Sequence, residues 1–142
     1  ARATGQSQKF GAFLDSVVDR YTEFMIYLGI WCYFCRSEDP TLYLLLILLI
    51  LFGSLMVSYT RARAEGLGER CLGGAFQRGE RIILLGAAGI LNPLLNLFAS
   101  APTTPWSRDL ALKGVLVVLA FGANLTAMWR FIHVLNKLKK KA

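Results

Sequence analysis

Residues 42–59 read LYLLLILLILFGSLMVSY, 18 consecutive positions without a charge. As a helix such a run rises about 27 Å, close to the hydrocarbon thickness of a bilayer. It lacks the polar stripe that a surface helix of a soluble domain needs. A second uncharged stretch, 84–107, makes the same demand. Working outward from these two, apolar segments separated by short charged loops predict four membrane spans, at about 11–34, 42–59, 82–98 and 110–134. The fold class is therefore an all-α polytopic membrane bundle, read as one transmembrane domain over 1–142, with no internal repeat or low-complexity tract.

Composition agrees: 55% of the residues are hydrophobic. A net charge of +7 invites nucleic acid as a partner, but the cations fall at alternate span ends, which excludes that class. Arg2, Lys9 and Arg20 flank the first span, Arg61, Arg63, Arg70, Arg78 and Arg81 fill the middle loop, and Lys137, Lys139, Lys140 and Lys141 end the chain. The positive-inside rule places these ends in the cytoplasm. Lys137 to Lys141 read as an anchor to anionic headgroups. Cys32, Cys35 and Cys71 are odd in number, and the Cys32/Cys35 pair ends a helix without a histidine nearby, so packing explains them better than metal or redox chemistry.

The first span carries the charges that a membrane segment least tolerates. Asp15, Asp19 and Glu23 recur every four residues, which stacks them on one helical face at its cytoplasmic mouth. A wetted helix end accounts for one carboxylate; three on a face call for compensation, and a divalent cation supplies it. Residues 1–9 read as a polar loop. At the end of the second span, Ser58 and Arg61 lie about one turn apart, able to hold a phosphate dianion through hydroxyl and guanidinium donors. Glu80 reads as a helix N-terminal charge and Arg81 as an anchor or intramembrane partner. Gly86 and Gly89, with Ala87 and Ala88, suit close helix contact, while Asn92 and Asn96 share a face as interhelical glue. Pro93 is expected to kink the outer end of its helix, Trp106 to anchor at the interface, and His133 and Arg130 to lie at the interface.

Ala1-Arg2, Gly11, Asp15 and Asp19 form AR-x8-G-xxx-D-xxx-D. This resembles the second half of the DxxDGxxAR…GxxxDxxxD signature of the CDP-alcohol phosphotransferase (CDP-alcohol phosphatidyltransferase) family. The segment SYTRARAE, 58–65, is similar to SYxKARAE of its phosphatidylinositol-phosphate synthase branch, with Arg61 at the lysine, and RGER, 78–81, is similar to RPER. The family's first two aspartates are absent, so the chain reads as spans three to six of a six-span enzyme with a remnant of the second.

The resemblance implies a homodimeric membrane enzyme that transfers a phosphatidyl-type group from a CDP-linked lipid to a phosphorylated polyol and releases CMP, with two divalent ions, Mg2+ or Mn2+. It implies Asp15 and Asp19 as metal ligands, Asp19 also as general base, Arg2 and Gly11 at the nucleotide, and Ser58, Arg61 and Arg130 at the acceptor phosphate. Inositol 1-phosphate is the expected acceptor and glycerol 3-phosphate the alternative, in a prokaryotic inner membrane with the site facing the cytoplasm. From a different class, a non-catalytic membrane binding module would need no metal and would tolerate Asp15→Asn and Asp19→Asn.

Overall fold

The computed structural model describes residues 2–36, 39–69, 74, 76–98 and 108–140, with side chains from Gln8 onward apart from Phe98. Four helices follow one another: α1 (Arg2–Phe34), α2 (Pro40–Gly66), α3 (Arg78–Phe98) and α4 (Leu110–Lys139). No strand occurs among the described residues. The chain divides into two compact units, Ala1–Pro40 and Thr41–Ala142.

The first unit is built on α1, which begins at Arg2, so of the loop expected over residues 1–9 the part from Arg2 onward is helical. Glutamine, alanine and lysine favour helix there, and Gly5 alone opposes it strongly. By length and composition three helices, α2, α3 and α4, can cross a membrane. The first expected span does not qualify, because Asp15, Asp19, Arg20 and Glu23 leave α1 only the stretch beyond Glu23 free of charge. Glu23 takes Arg20 Nη1 at 3.2 Å on its own helix, so the carboxylate face has a cation within its own segment. Cys32 and Cys35 are free and exposed rather than packed, with the Cys35 thiol directed at the Cys32 carbonyl; Cys71 lies outside the described residues.

In the second unit α2 outlasts its apolar run by two turns and ends in a Schellman motif. Glu69 N–H donates to Ala64 O at 2.9 Å and Gly68 N–H to Glu65 O at 3.0 Å, with Gly68 at φ 78°. Glycine takes that conformation without the Cβ penalty. Where α2 and α4 cross, a Cβ on Gly53 would stand 2.9 Å from Asn124 N and 3.0 Å from Ala123 Cβ. The same contact lets Asn124 Nδ2 donate to Leu49 O at 2.9 Å. Near the starts of the two helices Lys113 lies over the Tyr43 ring, and near their ends Ala64 and Val134 are buried together.

Helix α3 opens with half a capping box: Gln77 N–H donates to Glu80 Oε2 at 3.0 Å, as expected for an acidic residue in the first turn. The amides of Asn92 and Asn96 both donate to Asp109 Oδ1, the latter at 3.0 Å, which ties α3 to the start of α4. The glue expected of these asparagines is thus present, and its partner is a carboxylate. Gly86 and Gly89 make no close contact: both are exposed, and a Cβ on either would meet nothing within 4 Å. The tight crossing is at Gly53 instead. Trp106 and Lys141 fall outside the described residues.

Candidate functional site

On α1, Asp15 is exposed and Asp19 half-exposed, one turn apart on the same face. Gly11 is exposed one turn before Asp15, and a Cβ there would meet no atom within 4 Å, so internal packing does not require glycine. Arg2 has a helical backbone; its side chain lies outside those described. Among the described residues no three His, Cys, Asp or Glu side chains gather as a metal-holding group. Two carboxylates a turn apart are nevertheless the hard oxygen donors that small divalent ions prefer, and supply part of the six or so such ions take. The pair fits a divalent ion as part of its donor set.

The phosphate-binding candidates lie on the second unit, along the last turns of α2 and the end of α4. Ser54, Val57, Ser58 and Arg61 recur at helical spacing and share one face of α2. Ser58 Oγ donates to Ser54 O at 3.0 Å, and Arg61 Nε donates to Glu65 Oε1 at 2.9 Å on the exposed flank. Arg130 does not snorkel. Its residue is 3% exposed, and Nη1 donates to Val57 O at 3.0 Å, the carbonyl next to Ser58. The structure therefore brings Arg130 to the segment that holds Ser58, while Arg61 stays at the solvated edge.

A second buried guanidinium comes to the same turn. Arg81, 1% exposed, donates from Nη2 to Ser54 Oγ at 2.7 Å and from Nη1 to Phe76 O at 2.7 Å. Of the two roles open to it in sequence, anchor or intramembrane partner, the second holds. In the sequence its place directly after Arg78 and Glu80, at the start of the third span, suited either role. Two buried guanidiniums thus meet α2 at Ser54 and Val57, three residues apart.

Before α3, Gly74 lies beside Arg130 and the Phe76 carbonyl beside Arg81. Gly74 has φ 116° and Phe76 φ 58°. The second is a bulky residue in left-handed backbone, at a cost of about 1–3 kcal/mol that its surroundings must offset. Its carbonyl is held by Arg81, and its ring lies against Gly122, where a Cβ would stand 2.8 Å from three ring atoms. Farther along α4, Trp129 and His133 stack with centroids 5.0 Å apart, so the histidine has an aromatic partner on its own helix.

Comparison with known proteins identifies the family. The family model described as CDP-alcohol phosphatidyltransferase matches residues 1–128. The chain is 37% identical over 139 residues to an archaetidylinositol phosphate synthase of Methanothermobacter thermautotrophicus, covering 98% of this chain and 62% of that protein. It is 45% identical over 93 residues to an archaetidylinositol phosphate synthase of Pyrococcus horikoshii, covering 65% of this chain and 46% of the relative. It is also 32% identical over 131 residues to a phosphatidylinositol phosphate synthase of Mycobacterium marinum, covering 91% and 54%. The chain thus spans roughly half the length of the relatives it matches. With a family model covering most of its residues and membrane-length helices beneath it, the chain belongs to the CDP-alcohol phosphatidyltransferase family.

Proposed function

We propose that this chain is part of a membrane phospholipid synthase that transfers a phosphatidyl-type group from a CDP-linked lipid to inositol 1-phosphate and releases CMP. The observation that carries this reading is the buried Arg130, which donates to Val57 O beside Ser58 and so brings a guanidinium to the turn of α2 that carries a hydroxyl, the two donor types that recognise a phosphate. The names of the relatives, archaetidylinositol and phosphatidylinositol phosphate synthases, support the same acceptor.

In the reaction the acceptor hydroxyl attacks the β-phosphoryl of the CDP-lipid, the bond from that phosphorus to the oxygen of CMP breaks, and the hydroxyl proton passes to Asp19. Asp15 and Asp19 would hold divalent metal, on which the family generally depends. Bound there, Mg2+ or Mn2+ would neutralise pyrophosphate charge and stabilise the departing CMP. Arg2 and Gly11 contact the nucleotide end, Gly11 by leaving room for close approach. Ser58, Arg61 and Arg130 hold the acceptor phosphate, whose oxygens replace the Ser54 carbonyl and the Glu65 carboxylate as partners of the Ser58 and Arg61 donors. Holding the hydroxyl in place supplies much of the rate. The basic span ends support a cytoplasmic face for these residues; a prokaryotic inner membrane and a homodimer belong to the same reading, as the family resemblance implies.

The test is CMP release by the full-length purified protein, with Mg2+ and CDP-linked lipids of diacyl and isoprenoid type. Acceptors run in parallel are inositol 1-phosphate, glycerol 3-phosphate, free inositol and serine. Turnover with inositol 1-phosphate alone supports the reading. Turnover with glycerol 3-phosphate alone reassigns the acceptor, and no turnover with any acceptor leaves a binding module.

A further inference from the structure

Gly122, Thr126 and Arg130 follow one another at four-residue intervals, so they form a single buried row on α4. Gly74 and Phe76, before α3, lie along that row. A Cβ on Gly74 would stand 2.8 Å from Thr126 Cγ2 and 3.3 Å from Arg130 Nε, while the Phe76 ring covers Gly122 two turns earlier. The Arg130 side chain is therefore bounded on one side by the Gly74 backbone and on the other by α2, where its Nη1 reaches Val57 O. Little rotamer freedom remains in that slot.

The covering segment is anchored away from Arg130. Phe76 keeps its left-handed backbone because Arg81 holds its carbonyl and the missing side chain of Gly122 makes room for its ring. Gln77 adds a bond from Nε2 to Gly74 O at 3.3 Å, which fastens Gly74 to the start of α3. Displacing the Phe76 ring would carry Gly74 with it and widen the slot around Arg130.

We infer that Phe76 and Gly122 are positioning residues for the acceptor-phosphate subsite: the ring seated on the glycine sets the segment whose backbone at Gly74 orients Arg130. This rests on the acceptor reading given above. Neither residue touches substrate, so their effect falls on acceptor binding through the geometry of Arg130. A guanidinium recognises phosphate by direction as well as charge, and that sensitivity transmits the displacement.

The experiment uses the full-length protein in detergent or nanodiscs, with Gly122→Ala, Phe76→Ala and the double variant. Read out are KM for the phosphorylated acceptor, inhibition by inorganic phosphate, KM for the CDP-lipid, and the melting temperature. Expected is a rise of about tenfold in acceptor KM and in the phosphate inhibition constant for each single variant, with CDP-lipid KM within about twofold. The double variant is no worse than Phe76→Ala alone, because the added methyl then meets no ring. Should Gly122→Ala fail to fold, Phe76→Ala, which only removes atoms, decides the matter. Folded variants with acceptor KM within twofold of wild type overturn the inference. So do variants in which both KM values and kcat shift together in step with melting temperature. Failure of the acceptor reading itself is visible separately, as wild-type turnover that does not depend on the acceptor's phosphate.

Discussion

Arg81 Nη2 lies 2.7 Å from Ser54 Oγ, in a place where the arginine is 1% exposed. A buried guanidinium on α3 thereby fixes the turn of α2 whose next residues are Val57 and Ser58. Its other arm holds Phe76 O, so one side chain ties α2, α3 and the segment between them. Ser54→Ala removes the hydroxyl acceptor of this bond to a buried charged donor, a loss of about 1–3 kcal/mol. Arg81→Met is expected to cost more than Ser54→Ala, and Arg81→Lys to recover only part, because an ammonium lacks the fork that spans both acceptors. Thermal melts of the three variants in one detergent check the order; equal melting of Arg81→Met and wild type would sink it.

Gly53 and Gly86 make opposite predictions from the same residue type. A Cβ at Gly53 would press on the backbone of Asn124 and Ala123, which cannot rotate away, whereas one at Gly86 meets open space. Gly53→Ala should cost about 1–3 kcal/mol by forcing α2 from α4. Gly86→Ala should change stability by no more than a few tenths, or raise it through helix propensity. Paired denaturation curves decide between them, and a larger loss at Gly86 would mean that its exposed face is covered by something outside this chain.

The contrast shows what the sequence could and could not carry. The unbroken apolar run at 42–59 demanded α2, and the periodic carboxylates demanded a charged face on α1. Which glycine meets a neighbouring helix depends on how the helices cross, and a cluster such as Gly86 to Gly89 looks the same facing lipid or protein. Arg81 and Arg130 had the same ambiguity: position near a span end suits snorkelling as well as burial, and only the contacts with Ser54 and Val57 distinguish them. Phe76 gave no sign at all, because its left-handed backbone depends on a glycine 46 positions later in the chain.

Asp109 begins α4 at φ 62° while its Oδ1 takes both amides of α3, so two demands meet in one residue. Asparagine tolerates left-handed backbone and keeps an oxygen acceptor, whereas alanine offers neither. Asp109→Asn should therefore lower the melting temperature slightly. Asp109→Ala should lower it by the equivalent of about 2–4 kcal/mol, counting two lost bonds to a charged acceptor and the strained backbone. Glycine in place of Asp109 separates the two demands, since it relieves the backbone and still loses the bonds. A melting temperature for Asp109→Gly at or above that of Asp109→Asn would show that backbone strain, and not the amide bonds, dominates at this corner.

Asp15 and Asp19 sit one turn apart on α1, but the proposed chemistry gives them unequal tasks. Asp19 takes the acceptor proton, and general-base catalysis contributes typically 10²–10⁴-fold. Asp19→Asn keeps a side-chain oxygen and loses the basicity, so CMP release by the full-length protein should fall by at least about 100-fold while CDP-lipid binding persists. Asp15→Asn should weaken metal binding as its first effect, since an amide oxygen is a poorer ligand than a carboxylate. Raising Mg2+ should then restore part of the turnover in Asp15→Asn and none in Asp19→Asn. Titrating Mg2+ against CMP release in both variants reads this out: equal rescue would assign both carboxylates to the metal alone, and full activity in both would remove catalysis from this face of α1.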